Sequence, residues 1–332
     1  MKLIISLDYE LFFGSKIGTV DNCLIKPIDR LLEVINPYDI KLSLFVDSGF
    51  LLRLQKYQDK FPQLNDELER VSNHIRSLHN NGHDIQLHIH PHWEDTHFDG
   101  EDWNFDFDRY RLHDFDKTNI SEIVNRYKQA LTEIVGDNVF AYRAGGWCLQ
   151  PFDALSDALS ENNIWLESTV FLNGVSEQEK RGFNFTGSPD KSSWWFDRDP
   201  LVPVPSGPFF EVPISAVKAN PLFFWHMVYS KIIKQKKHHT FGDGIPLRFA
   251  TKSQYMKMLF KPVYNAVSID GAKTRLLKSA YKQLTSDPQK DIFNIMGHPK
   301  AFTEYGLEQL ARFLAKHTFN SITYQDFKNT NQ

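Results

Sequence analysis

The chain has 332 residues, with 38 Lys plus Arg against 41 Asp plus Glu, 13 His and 2 Cys. Its 41% hydrophobic and 14% aromatic content supplies a sizeable core and excludes global disorder, while Cys23 and Cys148 are too few for a disulfide framework or a cysteine zinc cluster. The apolar run before Asp8 is too short for a signal peptide and no stretch approaches the ~20 apolar residues that span a bilayer, so a cytoplasmic α/β protein is expected. Residues 2–8 read as a short buried strand ending in an acid, followed by a helix over 26–36 with Ile28, Leu31, Leu32 and Ile35 on one face. A strand over 41–47 again ends in an acid. A helix over 67–79 is stopped by Asn80-Asn-Gly82 and leads to a strand over 84–90. Further on come a helix over 121–134, a strand over 140–143 and a helix over 151–159. A strand over 292–296 and a closing helix over 306–314 complete the pattern. Strands alternating with helices predict a parallel sheet or barrel, whose chemistry sits at the carboxyl ends of the strands.

The net charge of −3 hides an asymmetry. Val212 to Ile269 holds nine basic residues and one acid, Asp243, so it carries +8 and the remainder −11. Glu94 to Asp116 holds nine acids against Arg109 and Arg111, and five histidines fall between His83 and His97. In the basic window Pro221–Tyr229, rich in aromatics, precedes Lys231, Lys234, Lys236 and Lys237. Two readings stay open for it: a solvated helix with an apolar inner face, or a segment resting on the anionic inner leaflet of a membrane. The acidic window and the lack of a binding motif argue against nucleic acid.

Four constellations carry candidate chemistry, each at or just past a strand end. His88, His90 and His92, spaced i, i+2, i+4, point one way on an extended strand and could converge on one metal, although Pro91 is expected to make His92 a loop residue. Asp8 and Glu10 share a face of the first strand with Tyr9 on the other, offering a metal ligand and a general base. Arg143, in Tyr-Arg-Ala-Gly-Gly-Trp147, could orient a carboxylate or form a structural salt bridge, and its glycines admit close backbone approach. His298 follows the last clear strand in Met-Gly-His-Pro299.

Together these resemble the polysaccharide deacetylase (NodB-homology) family, carbohydrate esterase family 4. Gly82-His-Asp-Ile85 followed by His88 and His92 fits that family's second motif, whereas Tyr9 stands where its first motif has a metal-binding aspartate. The resemblance implies a distorted (β/α)7-type barrel over 1–332, with an insertion at about 172–268 to take up the extra length. It implies His88 and His92 as metal ligands with Glu10 in the missing acid's place, Asp8 as base, Arg143 as its orienter and His298 as acid. His90, Trp93 and Trp147 are assigned to the substrate cleft, and Asp197, Asp199 or Glu167 to the tether of His298. The implied cofactor is a divalent ion, Zn²⁺ first and Co²⁺ or Ni²⁺ next, given the imidazole ligands. The implied reaction is removal of an N-acyl group, acetyl or formyl, from an amino sugar. For a chain expected to be cytoplasmic, that sugar would be linked to a nucleotide or a polyprenyl phosphate during surface polysaccharide or lipopolysaccharide synthesis. The alternatives are a metal-independent cyclic amidase on the same fold, a non-catalytic carbohydrate-binding relative, and a glycosidase. Asp8 and Glu10 lie too close on one strand to flank a glycosidic bond, which disfavours the last.

Overall fold

The computed structural model describes residues 1–331 apart from 234, 248–255 and 257. One sheet of nine strands organises the fold: β1 (Lys2–Tyr9), β2 (Leu42–Asp47), β3 (Asp84–Ile89), β4 (Ala141–Ala144), β5 (Leu166–Glu167), β6 (Trp194–Phe196), β7 (Phe209–Glu211), β8 (Ile292–Gly297) and β9 (Asn320–Ser321). The spatial order is β6-β7-β5-β4-β3-β2-β1-β8, with β9 beside the start of β1; all pairs are parallel except β6 with β7. The sheet curls into a distorted barrel. Its gap is spanned by single hydrogen bonds rather than a full ladder: Ser215 donates to the Asn294 carbonyl at 2.9 Å, Val267 to Ser215 at 2.7 Å and Met296 to Val267 at 3.0 Å.

Strand β1 shows why the sequence takes this form. Its residues are buried on both faces, as a central parallel strand requires. Leu3, Ile5 and Leu7 join the core under the helices, each burial contributing about 1.5–3 kcal/mol. Tyr9 faces the same way, its hydroxyl 3.0 Å from His74 Nδ1. Ile4 faces the barrel interior with Phe45 and Tyr324, and Ser6 and Asp8 share its face by strand alternation.

The helices are α1 (Lys26–Ile35), α2 (Ser48–Tyr57), α3 (Pro62–Asn80), α4 (Lys117–Val135), α5 (Asp153–Glu161), α6 (Pro221–Ile233), α7 (Leu277–Thr285) and α8 (Glu304–Leu314). Three begin earlier than periodicity predicts: α3 opens on Pro62, and side chains cap α4 and α8. Asp116 accepts from Asn119 N–H at 3.0 Å ahead of α4, and Thr303 accepts from Gly306 N–H at 2.9 Å ahead of α8.

The stretch 172–268, expected as an insertion, is only partly outside the barrel, because β6 and β7 belong to the main sheet. What projects begins with an antiparallel pair, Ala216–Ala219 against Val263–Ala266, and includes α6. A strap over 241–247 then returns to the body. Phe241 and Gly242 donate to the carbonyls of Phe302 and Lys300, Ile245 to Lys16 and Leu247 to Phe13, at 2.8–3.2 Å. Lys234, Arg248, Lys252 and Lys257 of the basic window lie outside the described residues.

Candidate active site

The strand ends bring Asp8, Glu10, His88, His90 and His298 around one cavity of about 280 Å³, which Trp147 also lines. Asp8 is held by Arg143, whose Nη1 donates to Asp8 Oδ1 at 2.7 Å. The guanidinium is itself fixed. Nε donates to the Ser168 carbonyl at 2.7 Å, Nη2 to Ser6 Oγ at 2.9 Å, and the guanidinium carbon lies 4.1 Å from the centre of the Phe45 ring. With Oδ1 engaged, Oδ2 of Asp8 faces His298 Nε2 at 3.5 Å.

His298 is oriented by a residue that sequence reasoning missed. Asp270 Oδ1 accepts from the His298 backbone N–H at 2.8 Å, and Oδ2 lies 2.9 Å from Nδ1. Burial opposes charge on both groups. Their mutual attraction prevails, so Asp270 is brought down to about 2 and the pKa of His298 is raised. Nδ1 is turned to Asp270 and Nε2 to the cavity. Asp197, Asp199 and Glu167 do not meet His298. Asp199 accepts from Leu201 N–H at 2.9 Å, and Glu167 turns to Thr169, whose N–H donates to it at 2.8 Å. No local pattern marks Asp270. It reaches the site because Ile269 N–H donates to the Met296 carbonyl at 3.0 Å, laying 267–269 along β8.

Glu10, His88 and His90 form the metal-competent group: one ligand atom from each, all within 4.8 Å of one another and all buried. His88 Nδ1 lies 2.8 Å from the Arg143 carbonyl, which can only accept, so Nδ1 carries the proton and the Nε2 lone pair is turned to the cavity. His88 Nε2 and Glu10 Oε2 have no hydrogen-bond partner although buried. His90 Nε2 comes within 2.6 Å of Glu10 Oε2 without the alignment of a hydrogen bond, as expected of atoms aimed at a common point. Burial brings the pKa of His90 down to about 4, keeping the ring neutral as a ligand must be. Burial would raise the Glu10 carboxyl, but Lys300 and the two imidazoles hold it well below the usual carboxylate range. The residues therefore fit a divalent ion: two nitrogens and a carboxylate, with the cavity open on the remaining side, is the pattern of a catalytic rather than a structural zinc site.

His92 does not join this group. Pro91 opens a 3-10 turn over Pro91–Glu94, which ends the strand and carries the ring into an aromatic cage. It stacks on Tyr110 at 5.6 Å and Trp93 at 5.7 Å, meets Phe13 edge-on at 4.5 Å, and burial holds it well below the ordinary histidine range. In the metal-competent group the place expected of His92 is taken by His90, which the sequence reading puts in the cleft. Trp93 is also not a cleft residue. It is 0% exposed and its indole N–H donates to Asp47 Oδ2 at 2.6 Å beneath the site. Trp147 does line the cavity, with Tyr110, Arg181 and Leu247 among its neighbours there. Gly145 leaves room for His90, since a Cβ there would lie 2.7 Å from its Nδ1 and 2.5 Å from the Ile89 carbonyl.

Lys300 was also missed. Its ammonium lies 2.9 Å from Glu10 Oε1 and donates to the Leu11 carbonyl. The signal in the sequence is faint: a lysine two residues past His298, swung inward by the turn at Pro299.

A sheet of this order with its polar cluster at the strand ends makes a curled α/β barrel open at its site. The chain is similar over 99% of its length, at 15% identity and a TM-score of 0.51, to 90% of a crystal structure named "putative polysaccharide deacetylase from Mycobacterium smegmatis". It is also similar to Puue allantoinase (12% identity, 98% of this chain and 88% of that one, TM-score 0.49). A third is the Xyl-CE4 domain of a multidomain xylanase from the hindgut metagenome of Trinervitermes trinervoides (10%, 99% and 91%, TM-score 0.41). No protein-family model matches the chain and no curated protein matches its sequence. At these identities the likeness is one of fold, and the chemistry rests on the residues.

Proposed function

We propose that this chain is a metal-dependent amide hydrolase that removes an N-acyl group from an amino sugar. The observation that carries the proposal is the side-by-side placement of two tethered groups, Asp8 held by Arg143 and His298 held by Asp270, over the buried Glu10–His88–His90 cluster. A divalent ion held by these three residues, Zn²⁺ in the first instance, would supply Lewis acidity toward the acyl carbonyl and the attacking water. Asp8 Oδ2 takes the proton of that water as its oxygen adds to the acyl carbon. Arg143 holds Asp8 in place through its bond to Oδ1, leaving Oδ2 toward the cavity. His298 Nε2 gives its proton to the amine nitrogen as the C–N bond breaks, so the leaving group departs neutral. The products are a carboxylic acid and the free amino sugar, with water consumed. Trp147 offers an apolar face to a sugar ring in a cavity of about 280 Å³.

The sugar we favour is linked to a nucleotide or a polyprenyl phosphate, handled at the cytoplasmic face of a membrane by one domain spanning the chain. What supports this is the basic, aromatic segment joined through the strap to the pocket wall. No described helix is long and apolar enough to cross a membrane. The test is mass-spectrometric detection of deacylation across nucleotide- and lipid-linked acylamino sugars, with metal measured on the same sample. If a broad panel leaves the metal-loaded protein without turnover, the reading fails. A second reading, a metal-independent cyclic amidase, is favoured by Lys300, which already sets a cation 2.9 Å from Glu10. Full activity after exhaustive chelation would select it.

A further inference from the structure

Over residues 221–228, whose side chains are described, helix α6 carries apolar groups on two sides. Its inner side is accounted for: Phe224 is buried, and Phe223 and Met227 pack against the core. Its outer side carries Leu222, Trp225 and Val228, exposed at 63%, 48% and 41%. Phe260, at 64%, extends the patch, because Trp225 meets it at 6.3 Å and donates its indole N–H to the neighbouring Leu259 carbonyl at 3.1 Å. Of nine exposed large apolar side chains among the described residues, six fall between Leu222 and Phe260. A surface helix of a folded domain turns polar residues outward, so among the described residues this side departs from that rule.

The surrounding charge says what kind of partner fits. The window from Val212 to Ile269 carries +8, and Lys218, Lys236, Lys237 and Lys261 are exposed within the described part. Its one acid, Asp243, is turned inward, accepting from Thr19 N–H at 2.8 Å and Asn22 Nδ2 at 3.1 Å. Exposed Leu, Trp and Phe in a basic window whose single acid is engaged by Thr19 and Asn22 suit an interface that is apolar beneath and anionic at its surface.

We propose that the outer face of α6, with Phe260 and the flanking lysines, docks this protein on an anionic phospholipid surface. The strap from Phe241 to Leu247 leads from this region to the pocket, where Pro246 and Leu247 line the wall, so a docked molecule holds its cavity near the headgroups. The inference stands apart from the deacylase reading, because its test reads binding and not turnover.

The experiment is flotation of the full chain with phosphatidylcholine vesicles containing or lacking phosphatidylglycerol, at low and high salt. The wild type is expected to float with the anionic vesicles and to be released by salt. Leu222→Ser with Phe260→Ser should lower the partition coefficient by at least about tenfold, as should Lys236→Glu with Lys237→Glu, each lysine near an anionic surface contributing about 1 kcal/mol. The lysine pair serves as the control should the apolar pair fold poorly. Equal recovery with both vesicle types, or variants that bind as the wild type does, would overturn the proposal. So would a wild-type dimer that the apolar substitutions dissociate, since the occupant would then be a second copy of the chain.

Discussion

The floor and the outer wall of this molecule follow different rules. In the floor, built by β1, β3 and β4, polar side chains are tied to one another: Arg143 alone engages Asp8, Ser6, Ser168 and Tyr324. Among the buried polar atoms without hydrogen-bond partners are His88 Nε2 and Glu10 Oε2, whose residues line the cavity. In the projecting wall the leftover groups are apolar and face solvent. Unsatisfied groups thus mark both regions. In the floor they are lone pairs asking for a cation, and in the wall they are carbon surface and positive charge asking for a lipid-like interface.

The contrast can be broken from either side. The largest effect is expected of Asp8→Asn, which keeps the shape of the floor and removes the base: kcat should fall by about 10²–10⁴-fold with metal content unchanged, read from steady-state kinetics beside elemental analysis. Arg143→Met should cost about 3–5 kcal/mol in urea unfolding, because it leaves Asp8 buried without its partner. Gly145→Ala pushes a methyl group against Ile89 and His90; a stability loss of about 1–3 kcal/mol and weaker metal retention are expected. Leu222→Ser in the wall should shift stability by no more than about 0.5 kcal/mol, since its side chain is already in water. A large loss there would show that the patch packs inward, and the division between floor and wall would fall.

The His298–Asp270 pair adds a dependence on pH. The Asp270 carboxyl is depressed, to about 2, so its contribution to stability is complete above its unfolded value near ~3.9 and is lost as pH falls toward 2. The pKa of His298 is raised, so its contribution is complete below its unfolded value near ~6.5 and is lost as pH rises through the folded value. The pair therefore stabilises most between about pH 4 and 6.5. Asp270→Asn should flatten that maximum in thermal unfolding and move the alkaline limb of the kcat profile to lower pH. An unmoved limb would show that Asp270 does not set the proton on His298.

The parts of the site that were legible in the sequence are those carried by regular strands. Asp8 and Glu10 against Tyr9 follow from alternation along β1, and the strand holding His88 follows from its apolar neighbours. Alternation fails at Pro91. Beyond it the backbone turns into a 3-10 segment, so the spacing that seemed to add His92 instead stops at His90. Asp270 and Lys300 were hidden because they arrive by tertiary hydrogen bonds and a tight turn, which leave no periodic trace. The insertion was overestimated for the same kind of reason: β6 and β7 are three residues each, too short to give a pattern, yet the sheet includes them.

The central claim is that Glu10, His88 and His90 form a metal centre that excludes His92. Metal stoichiometry of purified His90→Ala and His92→Ala beside the wild type tests it most directly. One divalent ion per chain in the wild type and in His92→Ala, with its loss from His90→Ala, is the predicted result. Retention in His90→Ala with loss from a folded His92→Ala would contradict it.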